Sequence, residues 1–147
     1  MPMIDVYAAA GTFANTKTLA TELSSTLMRI EGVPDIPMFR QNTAAFIHEL
    51  PTANASNVDG DNIHVRVQVL TNAGALDRQK QRAVVAEFST LIGKAAGDHT
   101  VSDRTWVLLT EAVDGGWGLW GHAHTNAELV TAARAQLAKL ASEREAR

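Results

Sequence analysis

The chain has no cysteine, which removes disulfides, thiolate nucleophiles and cysteine-ligated metals from consideration. It has no large charge of either sign. Thirteen Lys and Arg stand against sixteen Asp and Glu, a net charge of −3, and the pI is near 5.9. That balance leaves no electrostatic footprint for nucleic acid or an anionic membrane surface. No apolar run approaches the roughly 20 residues needed to cross a bilayer. The start, Met1-Pro-Met-Ile-Asp5, lacks the basic opening of a secretory signal, and Asp5 interrupts its apolar stretch. Cytoplasm is therefore the expected location. Gly115-Gly116 is followed by no Lys-Ser/Thr pair, so the phosphate-cradling loop of nucleotide enzymes is absent. His122-Ala-His124 is spaced i, i+2 and offers two ligands at most from one strand. No metal and no cofactor are expected.

What is present is an ordinary globular composition, 46% hydrophobic and 20% charged. The 147 residues suffice for one domain, or for two small units sharing a core. Ile63 to Leu70 alternates apolar and polar side chains, the mark of a strand covered on one face. A turn at Asn72-Ala73-Gly74 follows. Asp77 is placed to cap a helix whose apolar residues Val84, Phe88, Leu91, Ile92 and Ala95 recur at helical spacing, and Gly97 is placed to stop it. A β-rich run begins at Thr105. The first half reads alike: a strand over Ile4–Tyr7, a turn at Gly11, a helix striped by Leu19, Leu23, Leu27 and Ile30 and stopped at Gly32 and Pro34, then a strand from Thr43.

The halves align at a near-constant offset. Gly11-Thr-Phe-Ala-Asn-Thr-Lys17 falls on Gly74-Ala-Leu-Asp-Arg-Gln-Lys80, and Thr43 to Glu49 falls on Thr105 to Glu111. Two β-α-β units, each with parallel strands and a right-handed crossover, predict a four-stranded α+β sheet with two helices on one face. Residues 2–51 form the first unit, 52–62 an Asn-, Asp-, Ser- and Gly-rich linker, and 63–113 the second unit. Residues 114–147 add a short hairpin and a carboxy-terminal helix, giving a single domain over 1–147. Thr125-Asn-Ala-Glu128 is a capping box for that helix, whose strongly polar last turn predicts fraying after about Ala141. The helix-free face of the sheet needs a cover, and a symmetric homo-oligomer is the commonest one.

Pro2 beside Met1, the doubled unit with Gly74 and Lys80, and Gly115-Gly-Trp-Gly-Leu-Trp-Gly121 together resemble the tautomerase superfamily, in its fused two-unit members. These include relatives of 4-oxalocrotonate tautomerase, malonate semialdehyde decarboxylase and cis-3-chloroacrylic acid dehalogenase. The resemblance implies a tautomerase/MIF-like fold, a homotrimer and a small-molecule substrate. It also implies removal of Met1, so that Pro2 becomes the catalytic group acting on a 2-oxo acid or related carbonyl compound. The chemistry agrees: inside a peptide bond the proline nitrogen carries no proton, whereas freed it is a secondary amine. Burial in an apolar pocket would then disfavour its charged form, giving a base poised for work near neutral pH.

Trp117 falls where the family places an aromatic wall, though a tryptophan packed in a hairpin seam would look the same. The turn arginines of the family are missing. Thr12 and Phe13 follow Gly11, Ala75 and Leu76 follow Gly74, and Asn72 and Ala75 occupy the places of the arginine pair of the dehalogenases and decarboxylases. The dehalogenase histidine and tyrosine fall at Met28 and Leu108, and a further strand arginine falls at Ala44 and Trp106. Arg40, just before the second strand, and Arg66, next to the Val65 that aligns with Pro2, are the candidate cations. The candidate substrate-binding set is thus Trp117, Arg40, Trp106 and Arg66 around catalytic Pro2. The expected activity is keto–enol tautomerisation. The alternatives are a dehalogenase, hydratase or decarboxylase with rearranged cations, or a binding protein on the same fold. His48, mid-strand, reads as a hydrogen-bonded sheet residue.

Overall fold

The computed structural model describes all residues, Met1–Arg147. Strand β1 (Met3–Ala9) buries Ile4, Val6 and Ala8 on one side, as the two-residue period of a strand requires. After it come α1 (Thr16–Glu31), the short α2 (Pro37–Gln41) and β2 (Ala44–Leu50). The second unit is β3 (Val65–Asn72), α3 (Arg78–Ala96) and β4 (Thr105–Ala112). Single 3₁₀ turns at Thr52–Asn54 and His99–Arg104 lie in the connections. The sheet order is β2-β1-β3-β4. Strands are parallel within each unit and antiparallel where β1 meets β3, so the units meet at their first strands, related as by a twofold axis.

Both long helices lie on one face. Leu19, Leu23 and Leu27 of α1 and Val84, Phe88 and Ile92 of α3 are fully buried against Ile4, Val6, Val67 and Val69. Each such side chain contributes about 1.5–3 kcal/mol of burial. The helix ends follow the sequence. Asn15 and Asp77 accept the amides of Thr18 and Lys80, and Gly32 and Gly97 close both helices in the left-handed region. The repeat extends to a side-chain contact: Glu49 accepts the Gly11 amide at 3.4 Å, and Glu111 accepts the Gly74 amide at 3.0 Å. Aligned glutamates thus hold aligned turns.

The opposite face has no helix. Phe46, Leu70, Trp106 and Leu108 stand exposed there, with Asp5, Tyr7, His48 and Arg66 among them. His48 bonds Asp5 at 2.6 Å and stacks on Tyr7, the sheet role read from its position.

The chain then adds a hairpin, β5 (Trp117–Leu119) and β6 (His122–His124), and finally α4 (Asn126–Glu145). The two-residue turn Trp120-Gly121 has φ of 54° and 74°, the handedness a tight hairpin favours. Thr125 and Glu128 form the reciprocal capping box. The helix runs past Ala141 to Glu145, longer than expected, because its polar last turns supply their own support: Lys139 pairs with Glu143, and the Ser142 hydroxyl donates to the Lys139 carbonyl. Arg40 lies on α2 rather than in a loop. Proline at the first helical position suits this short helix start.

Candidate active site at the amino terminus

The Pro2 carbonyl accepts the Ala44 amide at 3.3 Å, which ties the chain start to β2 before β1 begins. Pro2 is buried, and Met1 is only 2% exposed. The terminal amine reaches Glu31 Oε1 at 3.4 Å. Glu31 is the last residue of α1, and its side chain is only 6% exposed. Its second oxygen, Oε2, has no hydrogen-bond partner, although buried polar groups are ordinarily satisfied. The Lys80 ammonium donates to the Glu31 carbonyl at 2.8 Å and so pins the end of α1 to the start of α3.

A second hydrophobic cluster, separate from the one between sheet and helices, surrounds this point. It gathers Met1, Ile36, Phe39, Trp117, Leu129 and Ala133. Three parts of the chain build it: α2 contributes Phe39, the hairpin Trp117, and α4 Leu129 and Ala133. Gln136 of α4 accepts the Met38 amide at 2.8 Å, and the Asn126 side-chain amide donates to the Ala73 carbonyl at 2.9 Å. These bonds hold α4 against α2 and against the turn after β3. Between them lies a cavity of about 460 Å³ lined by Met1, Glu31, Phe39, Leu129, Ala133 and Arg134, among others.

An amine in such surroundings is easier to deprotonate. Burial pushes the Met1 amine below its ordinary value, and Glu31 opposes this through its charge and hydrogen bond without cancelling it. The arrangement therefore holds a poised base and a buried carboxylate at the mouth of an apolar chamber. With Met1 attached, the Pro2 nitrogen is an amide and inert.

Of the residues singled out in the sequence, Pro2 follows Met1 directly and Trp117, 7% exposed, shares the buried cluster with Met1; neither Pro2 nor Trp117 lines the cavity. Arg40 does not line this cavity. It pairs with Asp35 at 2.8 Å, both side chains largely exposed, beside a cleft with Lys17 and Thr43. Arg66 and Trp106 line another pocket, of about 310 Å³, at the far end of β3 with Tyr7 and His64. There Trp106 stacks on His64 with ring centroids 4.5 Å apart, and the Arg66 guanidinium lies 5.3 Å from the Tyr7 ring centre. Within one chain these three residues do not converge on Pro2. Glu31, Phe39 and Arg134 were not singled out. Glu31 left a signal, since it continues the buried series Leu19, Leu23, Leu27 at the same spacing; a charge on that stripe demands a partner.

No protein-family model and no curated protein matches the sequence. Solved structures do match in shape. A wild-type fused 4-OT, described as an asymmetric trimer, superposes with a TM-score of 0.69 at 19% identity, covering 86% of this chain and 98% of that one. Pt0534 inactivated by 2-oxo-3-pentynoate gives 0.71 at 19% identity, with the same coverage. A member of the cis-3-chloroacrylic acid dehalogenase family gives 0.65 at 16%, covering 86% and 87%. The chain has the fold of these tautomerase-superfamily proteins. The fused 4-OT is matched almost end to end, while about a seventh of this chain lies outside the match.

Proposed function

We propose that the chain is a tautomerase-type enzyme that moves a proton between the enol and keto forms of a 2-oxo acid or related carbonyl compound, with Pro2 as general base once Met1 is removed. The observation that carries this reading is the burial of the chain start: Pro2 is buried, and the Met1 amine joined to it lies between the buried Glu31 carboxylate and an apolar chamber, with its proton affinity lowered by burial. A neutral secondary amine at that place takes the proton from the enol oxygen and returns it to carbon, leaving the ketone. The apolar lining keeps water from competing for it. Trp117 belongs to the buried cluster around Met1 that backs the chamber, and Glu31 accepts a hydrogen bond from the ammonium formed midway.

Homotrimer formation belongs to the same reading. The exposed Phe46, Leu70, Trp106 and Leu108 on the helix-free face are what a threefold assembly would cover, and fused 4-OT structures of this fold are trimers. Arg66 and Trp106 lie on that face, so their substrate-binding role requires a neighbouring subunit's pocket to abut them.

A second reading, hydration of an unsaturated acid, is favoured by the unpartnered Glu31 oxygen, a carboxylate placed to activate water. One experiment separates the two. Enols of 2-oxo acids and unsaturated acids are assayed with wild type, Glu31→Gln and protein acylated at the Pro2 nitrogen. Tautomerisation should survive Glu31→Gln and vanish on acylation. Undiminished turnover after acylation would end the Pro2 mechanism.

A further inference from the structure

Met1 forms one wall of the cavity beside the chain start. The Met1 side chain, an unbranched chain of about four heavy atoms, is buried with Ile36, Phe39, Trp117, Leu129 and Ala133. Chemistry at Pro2 requires Met1 to leave. Its departure vacates a slot of that length and polarity directly beside the new amine. The apolar part of its lining suits an apolar group there.

The polar contribution comes from α4. Arg134 lines the same cavity, one residue from the buried Ala133, and belongs to none of the ion pairs of the chain. Its helix is held in place by the Gln136 and Asn126 hydrogen bonds, so the guanidinium is delivered by a fixed element. The turns that follow β1 and β3 carry Thr12 and Ala75 and supply no cation. We infer that the slot vacated by Met1 is the tail subsite of the substrate and that Arg134 binds its carboxylate. The substrate class is then a 2-oxo monocarboxylate, or its enol, with an unbranched apolar tail of about four carbons. This rests on the reading of Pro2 as the base and narrows it.

Discrimination against a dicarboxylate follows from the same residues. A second carboxylate on the tail would have to enter the slot, lose its water and meet no cation there. It would also sit in the chamber that holds the buried Glu31 carboxylate, a like charge.

Calorimetric titration tests this without turnover. The ligands are 2-oxo acids with tails of two, four and eight carbons, the dicarboxylate of the four-carbon compound, and the methyl ester of its monoacid. The proteins are Met1-free wild type, Met1-retaining protein made under aminopeptidase inhibition, Arg134→Ala and Arg134→Lys. Affinity should peak at the four-carbon tail, fall about tenfold or more for the dicarboxylate, and vanish when Met1 is retained. Arg134→Ala should weaken the acid by about tenfold while leaving the ester unchanged, and Arg134→Lys should restore part of the loss, since a lysine keeps the charge but not the fork geometry. Arg134 is exposed, so these variants keep the fold. Tail-independent binding, equal binding of the dicarboxylate, indifference to Arg134→Ala, binding undiminished by Met1, or no binding at millimolar ligand would each overturn the inference. A binding pattern as expected, with turnover that survives acylation of Pro2, would instead overturn the base and leave the subsite standing.

Discussion

Val65 occupies in the second unit the place that Pro2 holds in the first, which makes His64 the counterpart of Met1. The two sheet ends they mark are built by one repeat and carry opposite chemistry. At the first, Met1 is buried among Phe39, Trp117, Leu129 and Ala133, with a carboxylate against its amine. At the second, His64 stacks on a Trp106 that is 47% exposed, amid Asn54, Asn57 and Asp61 of the linker. The repeat fixes the backbone of both ends, but what packs over each is non-repeated chain. The hairpin and α4 dry the first end, and a polar linker wets the second. A base with lowered proton affinity can arise only at the dry one.

The largest expected effect separates the ends by rate. Pro2→Ala keeps a terminal amine but misplaces it, and should cost about 10²–10⁴ in turnover, the usual contribution of a positioned base. His64→Ala, at the residue just before the counterpart of Pro2, should leave turnover unchanged. Steady-state kinetics on one confirmed substrate decide it; equal losses would mean that both ends are active and that drying is not what distinguishes them.

The two tryptophans should part next, by stability. Trp117→Ala removes a nearly buried indole and should cost about 3–5 kcal/mol in chemical denaturation. In the protein that still folds, water admitted beside Pro2 should raise its apparent ionisation toward the ordinary amino-terminal value and lower turnover. If the proposed trimer forms through the helix-free face, Trp106→Ala should instead loosen it, read by light scattering as dissociation at a higher protein concentration than for wild type. A Trp106 variant that assembles as well as wild type would take that face out of the interface.

Glu31 sharpens the contrast through pH. Burial lowers the Met1 amine and Glu31 raises it; if the freed Pro2 amine meets the same two influences, Glu31→Gln should move its ionisation further down. The base works unprotonated, and activity is lost as pH falls through its ionisation. The acid limb of the kcat/KM profile should therefore shift to lower pH in Glu31→Gln. A shift to higher pH would show that Glu31 acts on Pro2 other than through its charge.

Most of the fold was legible because its signals are local. Gly32 and Gly97 stop helices by their backbone freedom, Asp77 and Thr125 start them through neighbouring amides, and Val65, Val67 and Val69 announce a buried face by alternation, although the strand runs Val65–Asn72 rather than from Ile63, which is exposed. Toward the candidate site, the repeat and the resemblance pointed to Pro2 and Trp117. Glu31, Phe39 and Arg134 meet through the docking of α4 on α2, as in the bond between Met38 and Gln136. No periodicity encodes a contact between segments so far apart in sequence. Arg40 looked available as a loop cation for a different reason: α2 is only five residues long, too short to show a helical period, and it places Arg40 next to Asp35.

The smallest effect tests the repeat itself. Glu49 and Glu111 hold the Gly11 and Gly74 amides, the two turn glycines lying in the left-handed region at φ 87° and 73°. Both bonds are solvent-exposed, so Glu111→Ala and Glu49→Ala should each cost toward the lower end of about 0.5–1.5 kcal/mol. Glu111 should cost the more, since its bond is 3.0 Å against 3.4 Å for Glu49. The turns follow β1 and β3, which run antiparallel, and therefore lie at opposite ends of the sheet. Their losses should add in the double variant to within about 0.5 kcal/mol, as for sites without shared partners. Turnover should respond unequally all the same. Gly74 lines the Pro2 cavity and Gly11 does not, so Glu111→Ala should raise KM while Glu49→Ala leaves it alone. Equal kinetic effects from the two would mean that the turn bonds matter only to folding, and that the two ends differ less than their coverings suggest.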